Sequence, residues 1–376
     1  MSTLQTRQED RPAFDIFCQV IDNYGDIGVS WRLARQLAHA PHYARVRLWV
    51  DDLERFQRLE PRIATSLAEQ RHDGVSIVQW CTTTPCFVPH DVVIEAFGCD
   101  LPHNILAAMK DKDSLWLNLE YLSAEPWVSK FHLQPSVQAN GLRKYFYFPG
   151  FTPDTGGLLR EPDLEEKRLA WLSQPEQRDA LLRSSGVSHA DINAVNHNAR
   201  IVFLFCYPEA PVQAMIDALA QDKRKTIVLI PEEVYPQAKS SSNGNVRVYH
   251  IPFVSHSDFD HLLWSADLNI VRGEDSMVRA LWAARPLIWQ PYRQEDDAHL
   301  IKLNAWLMQS PFGAATRTLV RSWTAGDQDL FSQELVRHMQ PDTWAAWSSQ
   351  SAQWAQSLRK QTDLASALTR FCAQHL

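Results

Sequence analysis

The sequence predicts an α/β protein built from two doubly wound, Rossmann-like domains that face each other across a cleft. Short apolar runs alternate with helix-length amphipathic segments along the 376 residues, and this alternation is typical of βαβ units around a parallel sheet. It is interrupted by a polar stretch without periodicity at 186–200. A chain of this length accommodates two domains, each with its own core.

Eleven short apolar runs are predicted to be strands. In the first half they lie at 14–21, 46–50, 75–80, 92–97, 115–119 and 145–148. In the second half they lie at 201–206, 226–230, 246–254, 268–271 and 287–290. Helix-length segments separate most of them, which favours parallel pairing within each half.

The polar stretch divides the chain into a first domain at 1–185, a linker at 186–200 and a second domain at 201–341. The last segment, 342–376, has only helical patterns and is expected to pack back on the first domain. Two such domains suit a sugar-nucleotide transferase, because one presents the acceptor while the other holds the nucleotide. A dinucleotide-dependent oxidoreductase uses similar layers, but no G-x-G-x-x-G follows a strand here.

Composition excludes several classes of protein. The net charge of −7 argues against holding nucleic acid by bulk electrostatics. No run approaches the roughly 20 apolar residues of a membrane span, and the polar first ten residues have no signal-peptide pattern. The six cysteines form no C-x-x-C pair and the histidines show no ligand spacing. We therefore expect a cytoplasmic protein without disulfides, metal or another cofactor.

The turn after the first strand is the first candidate site. Residues 22–26, D-N-Y-G-D, separate the strand from a helix predicted over 27–39. Ligands collect at the carboxyl ends of strands in open α/β sheets, and Asp22 and Asp26 there can orient or deprotonate a nucleophile. N-capping of the helix by Asp26 is the competing interpretation. A cap leaves Asp22 and the tyrosine–glycine turn unexplained.

A second candidate site follows the strand 268–271. It consists of Arg272, Gly273, Glu274, Asp275 and Ser276. A helix begins after these residues, so backbone N–H groups and the helix dipole favour a phosphate there. The arginine is a planar cation suited to a diphosphate, and the glycine lets the backbone approach a ligand. The two acids suit hydroxyl groups or a cationic acceptor.

Helix capping competes at the second site as well. Asp275 or Ser276 is a possible N-cap, with Arg272 paired to Glu274. The presence of both motifs in one fold favours the functional interpretation over capping.

Other residues are less decisive. Tyr207 ends the strand at 201–206, where its ring can contact a nucleotide or pack in a loop. Phe253 can stack on a base or belong to the core. The run 120–125 brings acids near a strand end, and a solvated helix start explains it equally well.

These motifs together resemble the EarP family of protein-arginine rhamnosyltransferases, which act on translation elongation factor P. The resemblance covers most of the chain. The segments that carry it are 21–35, 93–97, 118–125, 156–158, 251–254 and 272–276.

The resemblance implies a GT-B glycosyltransferase that moves L-rhamnose from dTDP-β-L-rhamnose to an arginine side chain of elongation factor P, with inversion. It implies Asp26 as the general base, with Asp22 and Glu274 as the other acids of the site. The implied nucleotide-sugar contacts are Asn23, Tyr24, Gly25, Tyr207, Phe253, Arg272, Gly273, Asp275 and Ser276. The chain has Ser255-His256 where the family pattern has a glutamine near the thymine, which leaves a base contact by His256 open.

Residue chemistry alone leaves two alternatives. One is a glycosyltransferase with a different donor or a small-molecule acceptor, because carboxylates and an arginine do not distinguish dTDP from UDP. The other is a non-catalytic module that binds a nucleotide sugar.

Overall fold

The computed structural model describes residues 11–21, 24–81 and 87–376. They form two compact units. The first consists of the described part of Met1–Glu161 together with Gln361–Leu376, and the second is Pro162–Lys360. Each unit contains its own sheet.

The first unit is organised around an eight-stranded mixed sheet. Its strands are β1 (Phe14–Cys18), β2 (Val46–Val50), β3 (Glu69–His72), β4 (Val75–Gln79), β5 (Val92–Ala96), β6 (Leu115–Leu119), β7 (Pro135–Val137) and β8 (Arg143–Tyr147). The spatial order is β3-β4-β2-β1-β5-β6-β8-β7. Strands β3 and β7 pair antiparallel at the two edges. The chain therefore winds outward from β1 in both directions, and the order reverses between β1 and β5.

Helices connect the parallel strands of this unit. They are α1 (Gly25–Ala38), α2 (Leu53–Leu59), α3 (His103–Lys112) and α4 (Val128–Phe131). Helix α1 buries Ile27, Trp31 and Leu33 in the main core of the unit. Burial of such side chains stabilises the fold by about 1.5–3 kcal/mol each. This packing fixes where α1 begins relative to the end of β1.

The second unit is organised around a five-stranded parallel sheet. Its strands are β9 (Arg200–Phe205), β10 (Thr226–Pro231), β11 (Val246–Ile251), β12 (Leu268–Arg272) and β13 (Leu287–Gln290). The order is β11-β10-β9-β12-β13, and all pairs are parallel. This order reverses between β9 and β12.

Helices surround the second sheet. They are α5 (Leu164–Leu172), α6 (Pro175–Ser184), α7 (His189–Asn196), α8 (Val212–Leu219), α9 (His256–Ser265), α10 (Glu274–Trp282), α11 (Ala298–Gln309), α12 (Ala314–Ala325), α13 (Gln328–His338) and α14 (Pro341–Arg359). A short 3₁₀ segment, Glu295–Asp297, precedes α11. None of the helices in the described ranges is both long and apolar enough to cross a membrane.

The units divide the chain at different points from those predicted. The N-terminal part of the first unit ends at Glu161. Helices α5 and α6 therefore belong to the second unit and not to a first domain ending at 185. The prediction of a linker at 186–200 is wrong. This stretch contains α7, whose N-cap Ser188 accepts a hydrogen bond from the N–H of Asp191.

The chain returns to the first unit at its C-terminus. Of the predicted helical tail 342–376, α14 belongs to the second unit and the last helix, α15 (Leu364–His375), to the first. The Gln36 amide donates to the N-cap residue of α15, Asp363, at 2.8 Å. Leu364 donates its N–H to the carbonyl of Leu158 at 3.0 Å. Of the predicted C-terminal tail, the last helix therefore belongs to the first unit, whereas α14 does not.

Candidate active site

Asp26 lies at the carboxyl end of β1, in the first turn of α1. Its side chain is only 2% exposed. One carboxylate oxygen, Oδ2, accepts the N–H of Ile21 at 3.0 Å, and Oδ1 accepts the hydroxyl of Tyr121 at 3.3 Å. These two donors restrain the rotation of the carboxylate plane. The predicted partners Asp22 and Asn23 lie outside the described residues.

The alternative in which Asp26 caps α1 is wrong. The helix begins at Gly25, its N-cap residue is Tyr24, and no side chain makes the capping hydrogen bond. Asp26 instead turns back to a backbone N–H that precedes the helix.

Tyr24 is the N-cap residue of α1, and Gly25 is the first residue of that helix. The Tyr24 hydroxyl accepts a hydrogen bond from Arg58 at 3.1 Å, and its ring packs against the main core of the first unit. These contacts fix the turn immediately before Asp26.

A second acidic group follows β6 at the same edge of the sheet. The Asn118 amide donates to the Glu120 carboxylate at 2.5 Å. Burial raises the pKa of Glu120, the nearby Glu95 carboxylate adds to the rise, and Lys144 opposes it. The alternative of a solvated helix start at 120–125 is wrong, because this segment is not helical.

In the second unit, Arg272 is the last residue of β12. Its guanidinium donates to the carbonyl of Cys206 at 3.0 Å. It also lies over two rings, with its central carbon 4.5 Å from the Phe205 centroid and 4.9 Å from that of Tyr207. Burial raises the pKa of the Cys206 thiol to about 12, so a neutral thiol lies beside the cation. The guanidinium is thereby positioned before any ligand arrives.

The turn after Arg272 leads directly into α10. The N-cap is Gly273, at φ +67°, in a region of the Ramachandran plot that favours glycine. Neither Asp275 nor Ser276 is the N-cap, because α10 already begins at Glu274. The capping alternative is therefore wrong at this site too. Gly273 brings no side chain to this helix end, and a ligand can approach the backbone closely.

Glu274 does not pair with Arg272, as the same alternative required. Its carboxylate forms an ion pair with Lys302 of α11, and both side chains are about one-fifth exposed. Sequence reasoning missed Lys302, because a partner 28 residues away leaves no local signal. The pair anchors the first turn of α10.

Three further predicted residues lie near the carboxyl ends of the second sheet. Tyr207 follows β9, and its N–H donates to the side chain of Gln290 at 2.9 Å. Phe253 follows β11, and its side chain is 40% exposed. His256 is the first residue of α9, whose N-cap Ser255 accepts the N–H of Asp258. The serine is thus a helix cap that determines where the histidine lies.

Both candidate groups coincide with the points where strand order reverses. In the first unit Asp26 follows β1, next to β5. In the second, Tyr207 follows β9 and Arg272 ends β12, next to it. Ligands of open α/β sheets bind at such topological switch points.

Comparison with known proteins identifies the family. The model of the family described as Elongation-Factor P (EF-P) rhamnosyltransferase EarP matches residues 14–373. The chain belongs to the EarP family. It is 40% identical to the protein-arginine rhamnosyltransferase of Pseudomonas aeruginosa, over 97% of this chain and 100% of that protein. It is 41% identical to the Pseudomonas putida enzyme of the same name, over 96% and 98% of the two chains. The Neisseria meningitidis enzyme of that name is 34% identical over 96% and 97%.

Solved structures agree with the fold class. A structure from work on EarP-mediated arginine glycosylation of translation elongation factor EF-P matches with a TM-score of 0.65 at 30% identity, covering 97% of this chain and all of that one. Arabidopsis thaliana UGT89C1 complexed with UDP matches with a TM-score of 0.56 at 9% identity, over 97% and 99%. The predicted GT-B fold class and the predicted enzyme class, a protein-arginine rhamnosyltransferase, are confirmed.

Proposed function

We propose that the enzyme moves L-rhamnose from dTDP-β-L-rhamnose to one arginine side chain of elongation factor P, with inversion of the anomeric centre. The observation that carries the proposal is the fixed carboxylate of Asp26, which accepts hydrogen bonds on both oxygens at a topological switch point. The names of the curated relatives support the sugar and the arginine acceptor. Because the proposed acceptor is a translation factor, we propose that the reaction takes place in the cytoplasm.

The acceptor explains why a rigid carboxylate is needed. A guanidinium has a pKa above about 12 and is a poor nucleophile while protonated. Asp26 orients one N–H of the acceptor and takes its proton as the new C–N bond forms. The nitrogen attacks the anomeric carbon from the face opposite the diphosphate, and the bond from that carbon to the diphosphate oxygen breaks. One displacement inverts the carbon, and the acceptor proton ends on Asp26.

We assign stabilisation of the leaving diphosphate to the second unit. Arg272 and the N-terminus of α10 stabilise the negative charge that develops on it. A fixed guanidinium and a helix end supply what a divalent cation supplies in other transferases. We therefore propose that transfer needs no metal.

The remaining acids hold the acceptor cation. We propose that Asp22 and Glu274 pair with the acceptor guanidinium, since carboxylates bind this planar group through two parallel hydrogen bonds. The ion pair with Lys302 keeps Glu274 in one orientation for this contact.

We propose that the other predicted residues contact the donor nucleotide. The rings of Tyr207 and Phe253 supply stacking surfaces, and His256 lies in the first turn of α9, after Phe253. Asn23, Tyr24, Gly25, Gly273, Asp275 and Ser276 complete the proposed nucleotide-sugar contacts.

The test is to incubate the enzyme with elongation factor P and dTDP-L-rhamnose, with and without EDTA, and to look by mass spectrometry for one added deoxyhexose on arginine. Modification in both conditions is expected, and none when the acceptor arginine is replaced by lysine. Transfer from UDP-L-rhamnose at the same rate would refute the assignment of the donor base. Nucleotide binding without transfer in any combination would indicate the non-catalytic alternative.

The role of Asp26 has its own variants. Asp26→Asn and Asp26→Ala are expected to abolish transfer while donor binding stays nearly intact. Asp91→Asn is the matched control, because this carboxylate also accepts a backbone N–H, that of Ala13 at 3.0 Å, but before the first residue of β5. Full activity in Asp26→Asn would refute the general-base role.

A further inference from the structure

Tyr121 connects the candidate base to the strand on the far side of β5. It follows β6, and its hydroxyl donates to Oδ1 of Asp26 at 3.3 Å. Its ring stacks on Phe97 with centroids 4.6 Å apart and planes 20° from parallel. The contact joins residues 95 positions apart in the chain.

The ring that supports Tyr121 is itself held in an uncommon backbone conformation. Phe97 follows β5 with φ +59°, a left-handed conformation that non-glycine residues seldom adopt. Its N–H donates to the carbonyl of Leu119 at 2.7 Å. Surrounding structure must maintain such a conformation, so the stacking surface beneath Tyr121 is a fixed one.

We propose that Tyr121 is a positioning residue for rhamnosyl transfer. Together with the N–H of Ile21, it fixes the rotation of the Asp26 carboxylate, one donor on each oxygen. Rotation about the terminal bond of an aspartate is otherwise loosely restrained. The hydroxyl thus holds Oδ1 in one orientation for the acceptor nitrogen. This inference rests on the proposed role of Asp26 as the base.

Loss of the hydroxyl should affect the chemical step and leave binding alone. Tyr121→Phe leaves the Asp26 side chain in place but removes the hydrogen bond to its Oδ1, so the reactive geometry is populated less often. We expect kcat to fall about tenfold, which corresponds to about 1.4 kcal/mol. The KM for acceptor protein and the Kd for dTDP should stay within twofold of wild type.

Two variants separate the hydroxyl from the ring. Tyr121→Phe keeps the stack on Phe97 and removes only the oxygen, while Tyr121→Leu removes both. Tyr145→Phe is the matched control, because it removes a hydroxyl from a tyrosine of the same sheet whose ring packs on Phe371. Thermal unfolding verifies that each variant is folded, and single-turnover assays with elongation factor P and dTDP-L-rhamnose give the rate.

The proposal requires that Tyr121→Phe is as slow as Tyr121→Leu, with the control unchanged. Wild-type kcat in Tyr121→Phe would overturn it, because the ring alone would then matter. A raised acceptor KM with unchanged kcat would also overturn it and make Tyr121 an acceptor contact.

A double variant distinguishes this failure from failure of the proposed function. If Asp26→Asn leaves residual turnover, adding Tyr121→Phe should cause no further loss, whereas an independent tenfold loss would refute action through Asp26. Full activity of Asp26→Asn alone would refute the base role itself, whatever the tyrosine variants do.

Discussion

Removing the guanidinium of Arg272 should weaken nucleotide binding in two separable steps. The structure holds this side chain by the carbonyl of Cys206 at 3.0 Å and by the faces of two aromatic rings. Arg272→Met removes both the charge and the fork of N–H donors. Arg272→Lys keeps the charge but loses the planar group that rests on the rings.

The expected magnitudes follow from these contacts. Hydrogen bonds to charged groups contribute about 1.5–3 kcal/mol, which is about ten- to hundredfold in Kd. Arg272→Met should reach the upper part of this range. Arg272→Lys should lose about tenfold, because a flexible ammonium must be ordered when the diphosphate binds.

Calorimetric titration with dTDP measures both effects. Arg247→Met is the matched control, since Arg247 lies on β11 of the same unit, is 54% exposed and forms an ion pair with Asp191 at 3.7 Å. Wild-type affinity in Arg272→Met would refute the diphosphate role. If Arg272→Lys binds dTDP like wild type while Arg272→Met binds weakly, the argument from preorganisation would be refuted. Charge alone would then explain the contribution of Arg272.

Two further predictions concern stability. Gly157→Ala should cost about 1–3 kcal/mol more than Gly141→Ala, although both glycines have positive φ. An added Cβ at Gly157 would lie 2.4 Å from the carbonyl oxygen of Thr362, whereas at Gly141 it would lie 3.9 Å from the amine of Lys110. Equal melting temperatures for the two variants would show that the return of the chain is not tightly packed. Burial lowers the pKa of His132 to about 4 from 6.5, so the unfolded chain binds a proton first and stability should fall as pH drops from about 6.5 to about 4. In denaturant melts across this pH range, the free energy of unfolding of His132→Gln should fall less steeply with decreasing pH than that of wild type. An identical dependence on pH would contradict the assignment to His132.

The apolar strands were predictable because parallel strands are buried on both faces. All eleven predicted runs correspond to strands, with ends shifted by a few residues. The edge strands β3 and β7 were missed, since they are polar, half-exposed segments held by antiparallel pairing. Helix α7 was missed because eight residues with two buried aliphatic side chains, Ile192 and Val195, are too short for periodicity.

The candidate site was partly predictable for a related reason. Asp26 and Arg272 lie in short polar turns between a strand and a helix, and such turns are visible in sequence. Tyr121, Lys302 and Gln290 reach their partners from elsewhere in the chain, so only the folded structure brings them there. Position along the sequence therefore predicted the residues at the strand ends but not the side chains that orient them.

Charge at the two switch points supports the division of labour in our proposal. Each unit has a helix N-terminus after a strand beside its switch point, and each helix lacks a side-chain cap. In the first unit a nearly buried carboxylate, Asp26, occupies this region and would repel a diphosphate while attracting a guanidinium. In the second, Arg272 precedes the helix and attracts a diphosphate. An aspartate and an arginine thus lie beside equivalent switch points, and in our proposal the first takes the acceptor proton while the second stabilises the leaving diphosphate.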